Sequence, residues 1–164
     1  MKTSQAGIDF IKSHEGLRLT TYLDQAGLPT IGYGHLIKPT ESNLLNTTIT
    51  VEQAEALLKN DLIPAETVVN SQIFVPLTQQ KYDALVSLVF NIGQGAFTTS
   101  TLKGRINNSY DKADIAEAWK RWNKVTINGV LTESTGLTKR RQDEINLYFS
   151  LVSTDVKKKS FTDC

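Results

Sequence analysis

Tyr82, Leu85, Val86, Leu88, Val89 and Ile92 leave the segment between Thr78 and Gly93 apolar over most of a helix circumference. Such a helix cannot lie on a surface; other elements have to surround it. The chain has 164 residues, the size of a single domain, and a chain of that length buries about 70% of its unfolded surface. The segment is therefore expected at the centre of a helical lobe. Thr78 caps its start after Pro76-Leu77, and Gly93, followed by Gly95, ends it.

The elements that would surround it are visible at lower contrast. Residues 4–14 read as a short helix capped by Ser4, with Ile8 and Ile11 on one stripe and Phe10 at its edge. Pro39 to Asn43 reads as a loop, and Leu44 to Ile49 has no clear period. Thr50-Val51-Glu52-Gln53 is a capping box that opens a long helix through Ala54, Leu57, Leu58 and Leu62. Pro64 is expected to kink that helix or end it near Ile63. Thr99 or Ser100 caps a helix to about Asn107. Asp111 caps another that carries Ile115, Ala118, Trp119 and Trp122 on one stripe, with both tryptophans read as core. Asn128-Gly129 between Lys124–Ile127 and Val130–Glu133 signals a hairpin. A last helix begins around Gly136, capped by Thr138, with Ile145, Tyr148, Phe149 and Val152 inward; Lys157-Lys158-Lys159 onward reads as a frayed tail.

Chemistry concentrates in Glu15 to His35, E-G-L-R-L-T-T-Y-L-D-Q-A-G-L-P-T-I-G-Y-G-H. Arg18 to Leu23 is rich in β-branched and aromatic residues, and Gln25-Ala26-Gly27 is a turn, so a helix end runs into a small hairpin sheet. Two carboxylates, Glu15 and Asp24, flank the first strand. The carbonyl end of a helix disfavours a carboxylate's charge, a bias that suits Glu15 as a proton donor. Asp24 sits beside a turn whose backbone donors can hold its charge. Paired acids on stiff elements suit general acid/base work on a polymer lying in a cleft.

The string E-G-L-x-L-x-x-Y-x-D-x-x-G-x-x-T-I-G-x-G-H resembles the signature of the phage-type lysozymes, the muramidase endolysins. The resemblance covers roughly residues 4 to 150 and includes Ala84–Gly93 with Gly95-Ala96-Phe97, and the G-L-x-x-R-R run at Gly136–Arg141. It implies an α+β, mainly helical lysozyme-like fold. A small N-terminal β-sheet lobe, about residues 12–60, is joined by the long helix to a larger helical lobe. That lobe spans about 61–152 with the N-terminal helix, within one domain whose tail is 153–164. It implies hydrolysis of the β-1,4 bond between N-acetylmuramic acid and N-acetylglucosamine in a peptidoglycan glycan strand, with inversion and host cell lysis. Glu15, Asp24 and Thr30 match its three catalytic positions: acid, carboxylate partner and water-positioning hydroxyl. Its sugar-cleft positions map onto Leu36, Phe90 and Thr101 or Ser100, while an asparagine of the family is replaced by Glu117. Arg140 and Arg141 are placed either to pair with Glu15 or to face solvent.

Composition narrows the alternatives. A net charge of +1 gives no field to recruit nucleic acid. Cys164 is the one cysteine, so no intramolecular disulfide forms. With two histidines and no H-E-x-x-H spacing, no metal is expected, and no cofactor; His35 reads as structural. The first residues, M-K-T-S-Q-A-G-I-D-F-I-K, lack an apolar run of signal-peptide length, and no stretch approaches the ~20 apolar residues of a membrane span. No stable membrane insertion is expected. The resemblance implies a monomer held in the host cytoplasm until a separate holin-type protein lets it reach the wall. Two rivals remain in view: a lytic transglycosylase, which uses one Glu and expels water, and a non-catalytic cell-wall-binding module.

Overall fold

A computed structural model of the chain describes residues 1–151; Val152, the lysine run and Cys164 lie outside the described residues. The elements in order are α1 (Gln5–His14), β1 (Arg18–Leu23), β2 (Pro29–Gly32), β3 (His35–Leu36), a 3₁₀ helix (Pro39–Leu44), α2 (Val51–Gln72), α3 (Gln79–Ile92), α4 (Gln94–Thr98), α5 (Thr101–Asn107), α6 (Lys112–Lys120), β4 (Lys124–Ile127), β5 (Val130–Glu133) and α7 (Thr135–Tyr148). The arrangement is mainly helical with two small antiparallel sheets.

The apolar segment is α3, and its residues Tyr82 to Val89 are all buried. It packs against α1, α2, α4 and α7. Thr78 accepts from Lys81 N–H at its start. Gly93 at its end has φ +94°, which a residue with a Cβ adopts only under strain.

The small sheet has the order β1-β2-β3. Arg18 pairs with Gly32 and Tyr22 with Thr30, with a bulge between them, which explains why β1 alternates only partly. The sheet sits on α2, whose start is fixed by the reciprocal Thr50–Gln53 capping box. Lys12 of α1 reaches Glu55 of α2 at 2.8 Å, and Lys59 reaches the same carboxylate at 3.1 Å.

Several expectations are corrected. Pro39 to Asn43 is not a loop: Pro39 starts a 3₁₀ helix, and Glu41 folds back to accept from Lys38 N–H at 3.0 Å. Pro64 does not end the long helix, which continues to Gln72. The carbonyl that Pro64 leaves without a partner belongs to exposed Asn60, so water can take it, while Leu58, Leu62, Ala65 and Val69 hold the helix on the core. The single turn α4, which buries Phe97, is hidden in the sequence by its glycine and threonines. Trp122 falls beyond α6, in the turn after it. The last helix is capped by Ser134, whose hydroxyl accepts from Leu137 N–H; Thr138 lies inside it and accepts from Asn123. The hairpin forms as read, with Asn128 and Gly129 both at positive φ, yet all its strand residues are exposed.

The first residues are pinned to the helices. Glu66 accepts from Thr3 N–H and hydroxyl at 2.9 and 2.7 Å, and Asp83 accepts from Ser4 N–H at 3.0 Å and from its hydroxyl. Gly7 lies against Asp83, where an added Cβ would come within 2.5 Å of the carboxyl carbon. Gly7→Ala is therefore expected to lower stability by about 1–3 kcal/mol despite alanine's better helix propensity, read by chemical denaturation. Equal or higher stability would contradict this packing. Hydrogen bonds from Lys12 and then Lys59 hold the Glu55 carboxyl down to about 2. A depressed carboxyl stabilises the fold above its unfolded value of 4.5 and loses that contribution as pH falls toward 2. Glu55→Gln should flatten the pH dependence of stability over that window, in urea denaturation at stepped pH.

Candidate active site

Glu15 is the C-cap of α1. Its backbone has already turned extended, at φ −107° and ψ 141°, and its N–H still bonds the Lys12 carbonyl at 3.2 Å. The side chain thus leaves the helix axis and meets α7. Arg140 Nη1 donates to Glu15 Oε1 at 2.7 Å, across 125 positions of sequence. Of the two readings of the arginines, pairing with Glu15 holds for Arg140. Arg141, fully buried, turns away to Glu144 and to the Trp122 carbonyl.

An open cleft of about 600 Å³ begins at Glu15 and Arg140, with His14, Asn91, Leu137 and Asp143 among its walls. Asn91 and Leu137 also line a second cleft of about 590 Å³ that runs on beneath the β4–β5 hairpin past Trp122 and Arg121. Arg121 and Trp122 also line a third hollow of about 160 Å³, together with Thr101, Leu102 and Ala118. Neighbouring clefts thus share wall residues, with Glu15 on the first and Thr101 on the third. Burial, and then the charge of Arg140, lower the His14 imidazole below its usual range, which favours its neutral form beside the cleft.

Asp24 follows directly on β1 and is held by its own turn. Its Oδ1 accepts from Ala26 N–H at 2.8 Å and Leu28 N–H at 2.9 Å, while Gly27, at φ +76°, closes the loop onto the Asp24 carbonyl. Thr30 is buried on β2, and its hydroxyl donates to the Leu28 carbonyl at 3.0 Å, which leaves the oxygen free to accept. Asp24 and Thr30 thus share one turn through Leu28. Leu36 is exposed on β3, and Phe90 is half-buried on α3 beside Asn91. The walls of the three clefts include neither Asp24, Thr30, Leu36 nor Phe90. Glu117 is engaged by Arg121 at 2.7 Å and by Arg105, which hold its carboxyl below the usual range.

His35 is buried between two carboxylates, Asp61 at 2.8 Å and Glu41 at 3.0 Å. Among the described residues no group of three or more His, Cys, Asp or Glu is arranged to hold a metal ion. No helix among them is long and apolar enough to cross a membrane. Residues that the motif reading passed over are Asn91 and His14, which line the cleft, and Glu144, which packs behind Arg140. The signal for Glu144 was present in its spacing, three and four residues after the arginine pair, which places all three on one side of a helix.

Comparison with known proteins places these features. The phage lysozyme family matches residues 12–144. An endolysin of Acyrthosiphon pisum secondary endosymbiont phage 1 is 46% identical over 150 residues, 92% of this chain and 99% of that protein. The structure of an endolysin from Escherichia coli O157:H7 phage FAHEc1 superimposes with a TM-score of 0.82 at 43% identity, covering 93% of this chain and 96% of its own. The muramidase domain of SpmX from Asticaccaulis excentricus gives 0.82 at 38% identity, covering 92% and 99%. With Glu15 held by Arg140 at a cleft and the fold shared almost end to end with these proteins, the chain belongs to the phage lysozyme family of peptidoglycan-hydrolysing enzymes.

Proposed function

We propose that this lysozyme hydrolyses the β-1,4 bond between N-acetylmuramic acid and N-acetylglucosamine, with Glu15 as general acid, Asp24 as the ionised partner and Thr30 positioning water. The observation that carries the reading is the contrast between the two carboxylates. Glu15 is half-buried at the carbonyl end of α1, at the edge of a cleft. Asp24 is fixed as an acceptor by two backbone N–H groups of its turn. Glycoside cleavage asks for such a division of labour: one group protonates the departing oxygen, and the other stabilises the oxocarbenium-like state and directs water. The Thr30 hydroxyl, with its proton committed to Leu28, is left to accept from that water.

Leu36, Phe90 and Thr101 are read as sugar contacts; Thr101 lines a hollow beside Arg121 and Trp122. In this reading α2 bridges a small lobe of about residues 12–60 and a helical lobe of about 61–152 that also includes the N-terminal helix. The enzyme accumulates in the host cytoplasm as a monomer, a separate holin-type protein releases it, and attack on the wall lyses the host. Inversion needs a carboxyl separation of about 6.5–9.5 Å, wide enough for water between the two groups.

The test is clearing of outer-membrane-permeabilised cells by wild type, Glu15→Gln and Asp24→Asn in parallel. Glu15→Gln should lose about 10²–10⁴-fold in rate while keeping its thermal melting transition, since a positioned general acid contributes on that scale. Near-normal clearing by Glu15→Gln would remove it from the mechanism, and binding without clearing by wild type would favour a wall-binding module. Proton NMR of the fresh product should show the α-anomer at the new muramic reducing end, as inversion requires; a first-formed β-anomer indicates retention.

A further inference from the structure

The proposed reaction leaves one buried carboxylate without a role. Glu144 on α7 is fully buried. Its Oε1 accepts from the Ser87 hydroxyl at 2.7 Å, from Arg141 Nη2 at 3.0 Å and from Arg140 Nε at 3.2 Å. Its Oε2 accepts from the Trp119 indole at 2.9 Å. Arg141 Nε lies 2.8 Å from Oε2 without hydrogen-bond geometry, so that contact is charge against charge.

Arg140 joins this group to the cleft. One nitrogen meets Glu15, another meets Glu144, and the third donates to the Ser87 carbonyl and hydroxyl at 3.4 and 3.3 Å. A guanidinium is planar with fixed donor directions, so fixing one edge aims the other. Two arginines bring two positive charges behind Glu15, and Glu144 offsets one of them. The other titratable groups nearby are His14 on α1 and Lys139 and Asp143 on α7. Asp143 contacts Lys139 at 2.6 Å and His14 at 3.4 Å. From β1, Arg18 stacks on the Tyr22 ring at 4.8 Å, and α3 presents the neutral Asn91.

We propose that Glu144 is a positioning residue for the acid: it clamps Arg140 from behind so that one edge meets Glu15, and its buried charge limits how strongly the arginine pair holds Glu15 as an anion. The consequence for rate rests on the reading of Glu15 as proton donor, because a donor must carry its proton at working pH.

Glu144→Gln keeps the shape and an acceptor for Trp119 but removes the charge. Arg141→Met removes a positive charge from the same pocket, and the double variant removes one of each. Two readouts are compared: the NMR titration of the ¹³C-labelled Glu15 carboxyl, and the alkaline limb of the wall-clearing pH profile, each repeated with His14→Gln to subtract the imidazole. In Glu144→Gln both midpoints should move to lower pH by about one unit, the effect of one charge a few ångströms beyond contact at an intermediate dielectric. In Arg141→Met they should move to higher pH by a similar amount, and the double variant should return near wild type. If Glu144→Gln does not fold alone, the step from Arg141→Met to the double variant measures the same effect, again toward lower pH. Unmoved titrations, or shifts of one sign in all folded variants, overturn the proposal. A Glu15 titration that moves as stated while the clearing limb stays fixed upholds the hold of Glu144 on Glu15 and sinks the donor assignment instead.

Discussion

A positive charge inside a protein demands compensation, and Arg140 is the point where this fold meets that demand. Its side chain is 5% exposed and lies between Glu144, which is fully buried, and Glu15, which borders the cleft. Taking an ion out of water costs several kcal/mol even after relaxation, and attraction repays this only when geometry and hydrogen bonds are good. Every guanidinium nitrogen here has a partner. The contact therefore does two things: it anchors α7 against α3 through Ser87, and it carries the order of the helical core out to one carboxyl group of the small sheet side.

The same logic explains why the two acids are held so differently. Among the described residues Asp24 has no cationic partner; it is fixed by the N–H groups of its own turn, a local device that needs only the sequence from Asp24 to Leu28. Glu15 depends on a residue 125 positions away. One carboxylate is set by a turn and the other by the tertiary fold, so their environments can be tuned independently, as the proposed acid and anion roles would require.

This difference marks what was legible in the sequence. The caps at Ser4, Thr50, Thr78 and Asp111 could be read because capping is local chemistry, and the central helix because an all-apolar face has one physical solution. The Asn128-Gly129 hairpin was visible for the same reason, though its full exposure was not, since nothing in its alternation says which face, if either, finds a partner. Pro64 misled because its cost depends on whether the Asn60 carbonyl can reach water, a tertiary fact. Ser134 was passed over for Thr138 because both follow the hairpin at plausible cap positions, and only the bond of Ser134 N–H to the Asn123 carbonyl fixes where the chain turns. At the site, the motif supplied Glu15, Asp24 and Thr30 by resemblance, whereas the partner of Glu15 stayed open between pairing and solvent until α7 was placed. Glu144 stood in plain spacing after the arginine pair, but its burial could not be read from a stretch of helix as charged as Lys139 to Glu144.

If Glu15 gives the proton that assists attack by water on a wall sugar, the oxygen of that water has to appear in the product. Digestion of purified glycan strands in H₂¹⁸O, with product masses read by mass spectrometry, tests this most directly. Wild type should place one ¹⁸O atom at each new muramic reducing end, and Glu15→Gln should cleave about 10²–10⁴-fold more slowly. Anhydro-muramic products lacking the label, or labelled products from Glu15→Gln at the wild-type rate, would contradict it.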